Sequence, residues 1–128
     1  MIKNLTKKLA ATSVVAIALF ALSVPVFAHH GTAAFEISRT ITMKATVTDW
    51  FWANPHCFVK FDYKNDKGEV EHWVVETSNP PDMMNKGWTI HTLKAGDEIT
   101  VTVYPVKNNK PVGRLITVKL PGGQTLSN

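Results

Sequence analysis

Glu69-Val70-Glu71-His72-Trp73-Val74-Val75-Glu76-Thr77-Ser78-Asn79-Pro80-Pro81-Asp82-Met83-Met84-Asn85-Lys86-Gly87 is the stretch on which the fold turns. Glu69 to Glu76 is rich in β-branched and aromatic residues and reads as a strand. Thr77 to Asp82 carries the turn-forming Asn79 and two prolines, so the strand ends in a loop. Asp82 to Lys86 is then expected to make a short helix, closed by Gly87. The order strand, loop, short helix marks the point where a series of strands is interrupted.

Working backwards, Lys64-Asn65-Asp66-Lys67-Gly68 is a turn that joins this strand to His56 to Tyr63 as a hairpin. Ala53-Asn54-Pro55 breaks the chain before that, because proline lacks the ladder donor. Thr40 to Trp52 alternates cleanly. Ile41, Met43, Ala45 and Val47 share one face, and Thr42, Lys44, Thr46 and Thr48 the other, the pattern of a half-buried strand. Working forwards, Thr89 to Leu93 can make a brief helical turn and Lys94-Ala95-Gly96-Asp97 a tight one. Glu98 to Tyr104 alternates again, Lys107 to Lys110 is a polar loop, and Gly113 to Leu120 is a fifth strand. Five strands with a helical interruption between the third and fourth match an OB-fold barrel, an all-β fold that hides its sheet edges by closing. A small open sandwich is the alternative that element order leaves standing. The barrel domain is expected over 41–121, with an extended arm over 29–40 and a frayed tail over 122–128.

Residues 1–28 have the composition of a secretory signal peptide. Lys3, Lys7 and Lys8 precede the apolar run Leu9 to Leu22, and Val26-Phe27-Ala28 places small residues three and one before a cut after Ala28. Three of the fourteen Lys and Arg lie in this leader, so residues 29–128 carry eleven against ten acidic residues, a formal charge of +1. That balance lacks the basic stripe nucleic acid requires. After Ala28 no apolar run approaches the roughly 20 residues that span a bilayer, so no stable membrane span is expected once the leader is removed. A soluble exported protein is the expectation, periplasmic if the host has an outer membrane and extracellular otherwise. Cys57 is the sole cysteine, so no internal disulfide can form, and a buried thiol is expected.

Ala28-His29-His30-Gly31, Trp52-Ala53-Asn54-Pro55-His56-Cys57, His72-Trp73-Val74-Val75-Glu76 and Asn79-Pro80-Pro81, with Gly87-Trp88 and Leu93-Lys94-Ala95-Gly96-Asp97, form a set of motifs. As a set they resemble an uncharacterised family of small exported bacterial proteins. The resemblance covers nearly all of the chain after the leader. It implies one exported, β-rich domain and no particular reaction.

Cleavage after Ala28 would free an amino group on His29, and that nitrogen and the imidazole could chelate one metal ion. A nitrogen-rich set suits Cu(II), as in the histidine brace that this arrangement resembles. His56, fixed behind Pro55, is the leading partner, and His72 is expected to approach it across the hairpin. Glu76, on the face of His72, could ligate or accept a hydrogen bond from a ligating ring. The competing reading makes these histidines structural or solvated. A blue-copper site is excluded because no histidine closely follows Cys57, and one cysteine is the wrong supply for structural zinc. Cys57 and His56 point to opposite faces if both are in a strand, which argues against a thiol–imidazole pair.

The tryptophans supply the remaining candidate surface. Trp52, Asn54, Trp73, Pro80, Pro81 and Trp88 are expected to border a groove for a protein or small ligand, or else to plug the barrel ends. Met83 and Met84 beside it could be soft copper ligands, although packing is the better reading. The composite expectation is an exported, non-enzymatic binding or accessory module. Its alternatives are a copper-binding or copper-delivery protein and a metal-dependent redox enzyme.

Overall fold

A computed structural model of the protein describes residues 31–128. The leader and its cleavage site at Ala28 lie outside the described residues, as do His29 and His30. The domain is an OB-fold-like barrel. Strands β1 (Ile41–Phe51), β2 (Phe58–Lys64), β3 (Val70–Glu76), β4 (Glu98–Pro105) and β5 (Val112–Lys119) are joined in the spatial order β3-β2-β1-β4-β5. Parallel pairing of β3 with β5 closes the ring, and a sixth strand, β6 (Thr125–Ser127), adds to β5. Crossing from Phe51 through Phe58, Glu76, Arg114 and Tyr104 leads back to β1 beside Ile41, a stagger of about ten residues that lets so few strands close. Among the described residues no helix is long and apolar enough to cross a membrane.

Alternation governs what enters the barrel. Met43, Ala45 and Val47 on β1, Val59 and Phe61 on β2, and Val101 and Val103 on β4 are all buried, and the residues between them face out. Phe61 sits opposite Trp73 in register, and their rings stack with centroids 6.2 Å apart. The alternation of β1 changes phase at Thr48, an extra residue between the pairs Val47–Phe61 and Asp49–Lys60. Without this bulge Trp50 and Trp52 would share the outer face of Thr42 and Lys44. With it, both pack against the core.

The short helix, α1 (Pro80–Asn85), starts two residues earlier than expected. Asn79 caps it, its side-chain oxygen accepting the Asp82 N–H at 2.9 Å, and Pro80 occupies the first turn, where its missing N–H is harmless. Gly87 ends the helix at φ +89° and donates to the Met84 carbonyl at 3.0 Å. Met83 and Trp88 on either side of that turn are fully buried and plug the barrel end. Trp50 and Trp52 complete the plug, with Trp50 5.5 Å from both Trp52 and Trp88.

Both ends of the described chain are more ordered than expected. In place of an extended arm, Thr32–Ala34 makes one 3-10 turn, and buried Phe35 bridges to Val106. Apolar burial and the bond from Glu36 N–H to the Pro105 carbonyl, 2.8 Å, hold it there. In place of a frayed tail, β6 pairs with β5 and buries Leu126. The tail lacks a periodic signal because it is only three residues long; its partner strand orders it.

Candidate functional site

The Trp52–Cys57 turn joins β1 to β2 and is pinned to the end of β3. Cys57 N–H donates to the Ser78 carbonyl at 3.0 Å, Thr77 N–H donates to the Cys57 carbonyl at 2.9 Å, and the Thr77 hydroxyl reaches the same carbonyl at 3.1 Å. These bonds extend the β2–β3 ladder past its last strand residues and hold His56 and Cys57 rigidly. Alternation then sends the two side chains apart. Cys57 is buried, and burial pushes its thiol pKa up, with smaller opposing pulls from Ala53 and Thr77 hydrogen bonds. Its Sγ points at the Ala53 carbonyl, 3.8 Å away, so the adjacent His56 does not activate it.

His56 turns outward. Its Nδ1 is 2.9 Å from the Thr77 carbonyl oxygen and 3.2 Å from Glu76 Oε1. A carbonyl oxygen only accepts, so Nδ1 carries the hydrogen and the Nε2 lone pair of the neutral ring is left for another partner. The side chain is 38 % exposed, enough to leave that edge of the ring open. A ring oriented by a carboxylate and a carbonyl in this way has the form commonly found behind metal-ligating histidines. Glu76, expected as a ligand or acceptor on the face of His72, stands behind His56.

The expected approach of His72 to His56 is absent. His72 lies opposite Asp62, whereas Glu76, which holds His56, lies opposite Phe58. Four strand residues separate the two positions, roughly 13 Å along β3. His72 instead has its own carboxylate, Asp62 Oδ1 at 2.6 Å from Nδ1, and is 80 % exposed. No group of three His, Cys, Asp or Glu side chains able to hold a metal ion occurs among the described residues. His29 lies outside them, so its relation to His56 is not described.

The aromatic surface is smaller than expected. Trp73 and Trp88 are buried, at 6 % and 1 % exposure, and Pro80 is buried with them. Trp73 donates its indole N–H to Glu71 Oε2 at 2.9 Å, and Trp88 donates to the Ser127 carbonyl at 2.8 Å. An indole whose ring packs and whose N–H is satisfied is a core residue. Met83 is core as well, and Met84 is exposed. Asn54 and Pro81 are exposed and Trp52 half-buried, so these three remain at the surface.

Three residues that sequence inspection passed over complete the face. Phe58, half-buried beside exposed Phe51 with centroids 6.4 Å apart, adds an aromatic edge next to Glu76. Lys60 bends to Asp49 Oδ2 at 3.2 Å, and Asp62 orients His72. The signal for Asp62 was available: once the Asn65–Gly68 turn is placed, the hairpin register puts Asp62 opposite His72. Grooves of about 210 Å³ between Lys44, Thr100 and Lys119 and about 400 Å³ beside Phe35, Ile37 and Lys107 lie away from this face.

Comparison with curated proteins and with solved structures finds no match. Residues 16–115 match a family of unknown function, DUF6152, and that span is most of the chain. The protein therefore belongs to the DUF6152 family.

Proposed function

We propose that this protein is an exported, non-enzymatic binding module whose contact surface is the outer face of β2 and β3 at the Trp52–Cys57 turn. The observation that carries the reading is His56: its Nδ1–H is held by Thr77 and Glu76, and its Nε2 edge is open beside Phe58. A ring kept in one tautomer on a rigid turn is pre-organised for a partner, which lowers the ordering cost of binding. OB barrels commonly bind ligands on the strand 2–3 face, an analogy of fold that supports the location and not the ligand. The small net charge after the leader disfavours nucleic acid.

Site-specific photocrosslinking in the exporting cell tests the reading. A crosslinker at position 58 should trap one dominant component, and one at Thr102, on β4, should not. Equal trapping at both positions would sink it.

A second reading is favoured by the same open Nε2. A Cu(II) ion held by the His29 amino group and ring would take His56 as a further nitrogen ligand. Copper titration of the chain confirmed by mass to begin at His29 tests this. One tight equivalent with a nitrogen-rich spin-resonance spectrum, lost in His29→Ala and weakened in His56→Ala, is the expected result. Binding indifferent to both substitutions overturns it.

A further inference from the structure

The outer face of β2 and β3 carries two imidazoles prepared in the same way. His56 has Glu76 at 3.2 Å and His72 has Asp62 at 2.6 Å, each through Nδ1. In both, an acceptor oxygen at Nδ1 leaves Nε2 as the outward lone pair. Orienting carboxylates behind imidazoles are the arrangement that raises a ligand's basicity toward a borderline divalent cation. Yet the two rings stand roughly 13 Å apart along the strand, too far to share an ion, since zinc–nitrogen bonds are about 2 Å. Within the described residues of one chain neither ring finds two further ligands.

A second copy of the chain supplies each ring with one further imidazole. His72, Val74 and Glu76 lie on one face of β3, so the two ring positions are symmetric about the level of Val74. A two-fold axis between two such faces, running across the strands at that level, reverses the strand direction of the partner. It sets His56 of each copy against His72 of the other, giving two equivalent pairs. The centre of the face permits the approach. Lys60, opposite Val74, is drawn aside to Asp49 at 3.2 Å, and half-buried Val74 remains.

We propose that a divalent cation of zinc type bridges His56 of one copy to His72 of a second, joining two chains through their β2–β3 faces. The proposal rests on the reading of that face as the contact surface and names its occupant and its bridge. Each ion takes one imidazole nitrogen from each chain, with water filling the remaining positions. His29 has no part in it, which separates it from the copper reading.

The test is sedimentation of the isolated chain with and without zinc chloride. The expected result is a dimer holding one zinc per chain, reversed by chelator and abolished by His56→Ala alone and by His72→Ala alone. Both side chains face solvent, and the variants should retain the parent circular dichroism. An equal mixture of the two variants restores one intact His56–His72 pair per mixed dimer. The mixture should therefore dimerise with one zinc per dimer, although neither variant does so alone. A zinc-loaded monomer, a dimer that survives either substitution, or a mixture no better than its components overturns the proposal. If position 58 crosslinks a different protein while zinc leaves the chain monomeric, the dimer fails and the contact-face reading stands.

Discussion

The backbone N–H of Ser78 donates to the side-chain oxygen of Asn128 at 2.7 Å, tying the loop that leaves β3 to the last residue of the chain. Around that bond, Ser127 accepts the Trp88 indole N–H, Asn128 N–H donates to the Ile116 carbonyl, and Leu126 is buried. The C-terminal residues thus seal the barrel beside α1. Leu126→Ala should cost about 2–4 kcal/mol by the usual loss on truncating a buried leucine. Asn128→Ala should cost about 1 kcal/mol as the Ser78 N–H loses its partner. Urea unfolding of both checks this, and an unchanged midpoint for Leu126→Ala would show the tail is dispensable.

Adding a residue beside Thr48 should be far worse than replacing it. One alanine inserted after Thr48 reverses the faces of the strand beyond the bulge and sends Trp50 and Trp52 to the outer face, emptying the plug they form with Trp88. The expected loss is about 3–5 kcal/mol, comparable to truncating a buried aromatic. Thr48→Ala keeps the extra residue and should stay within about 0.5 kcal/mol of the parent. Thermal unfolding separates the two.

Three glycines should rank by geometry. A Cβ at Gly113 would meet the Tyr104 carbonyl oxygen at 2.9 Å and Val103 Cγ2 at 3.1 Å, so Gly113→Ala forces β4 and β5 apart and should cost about 1–3 kcal/mol. Gly87→Ala places a side chain at φ +89° and should cost about 1–2 kcal/mol. Gly122 has open space around it, and Gly122→Ala should be within about 0.5 kcal/mol of neutral. Denaturant midpoints in the order Gly122→Ala, Gly87→Ala, Gly113→Ala, from most to least stable, are the expected result.

Cys57 supplies the pH prediction. Burial raises its pKa in the folded state, so the folded chain holds the thiol proton to higher pH than the unfolded one. This contribution is whole below the ordinary thiol range and is lost as pH climbs through it toward the folded value. Melting temperature should therefore fall between pH 7 and pH 10 by more in the parent than in Cys57→Ala. Equal falls would show that the thiol does not titrate on unfolding. In the same range, thiol-reactive reagents should label the folded chain only as fast as it opens.

Strand faces were legible in the residues themselves. Ile41, Met43, Ala45 and Val47 pointed inward as their alternation required, Cys57 was buried, and a short helix did follow the third strand. The start of α1 was misread because Asp82 looks like a helix opening, while Asn79 with Pro80 is the stronger cap. Among the site residues, the shared face of His72 and Glu76 was legible, and neither the placing of Glu76 behind His56 nor the separation of His72 from His56 was. A pairing of histidines depends on which cross-strand partners the hairpin register selects, and Asp62 occupies the place opposite His72.

What the sequence by itself determined is local: alternation with period two, turns at Lys64–Gly68 and Lys94–Asp97, and helix punctuation at Gly87. Each follows from the backbone preferences and polarity of adjacent residues. Only the tertiary structure decided the phase change at Thr48, the parallel closure of β3 on β5 and the ordering of Leu126. It also decided the burial of Trp73, Trp88 and Pro80. Those outcomes arise when distant strands compete for the same edge and the same interior volume. No periodicity within a single strand records that competition.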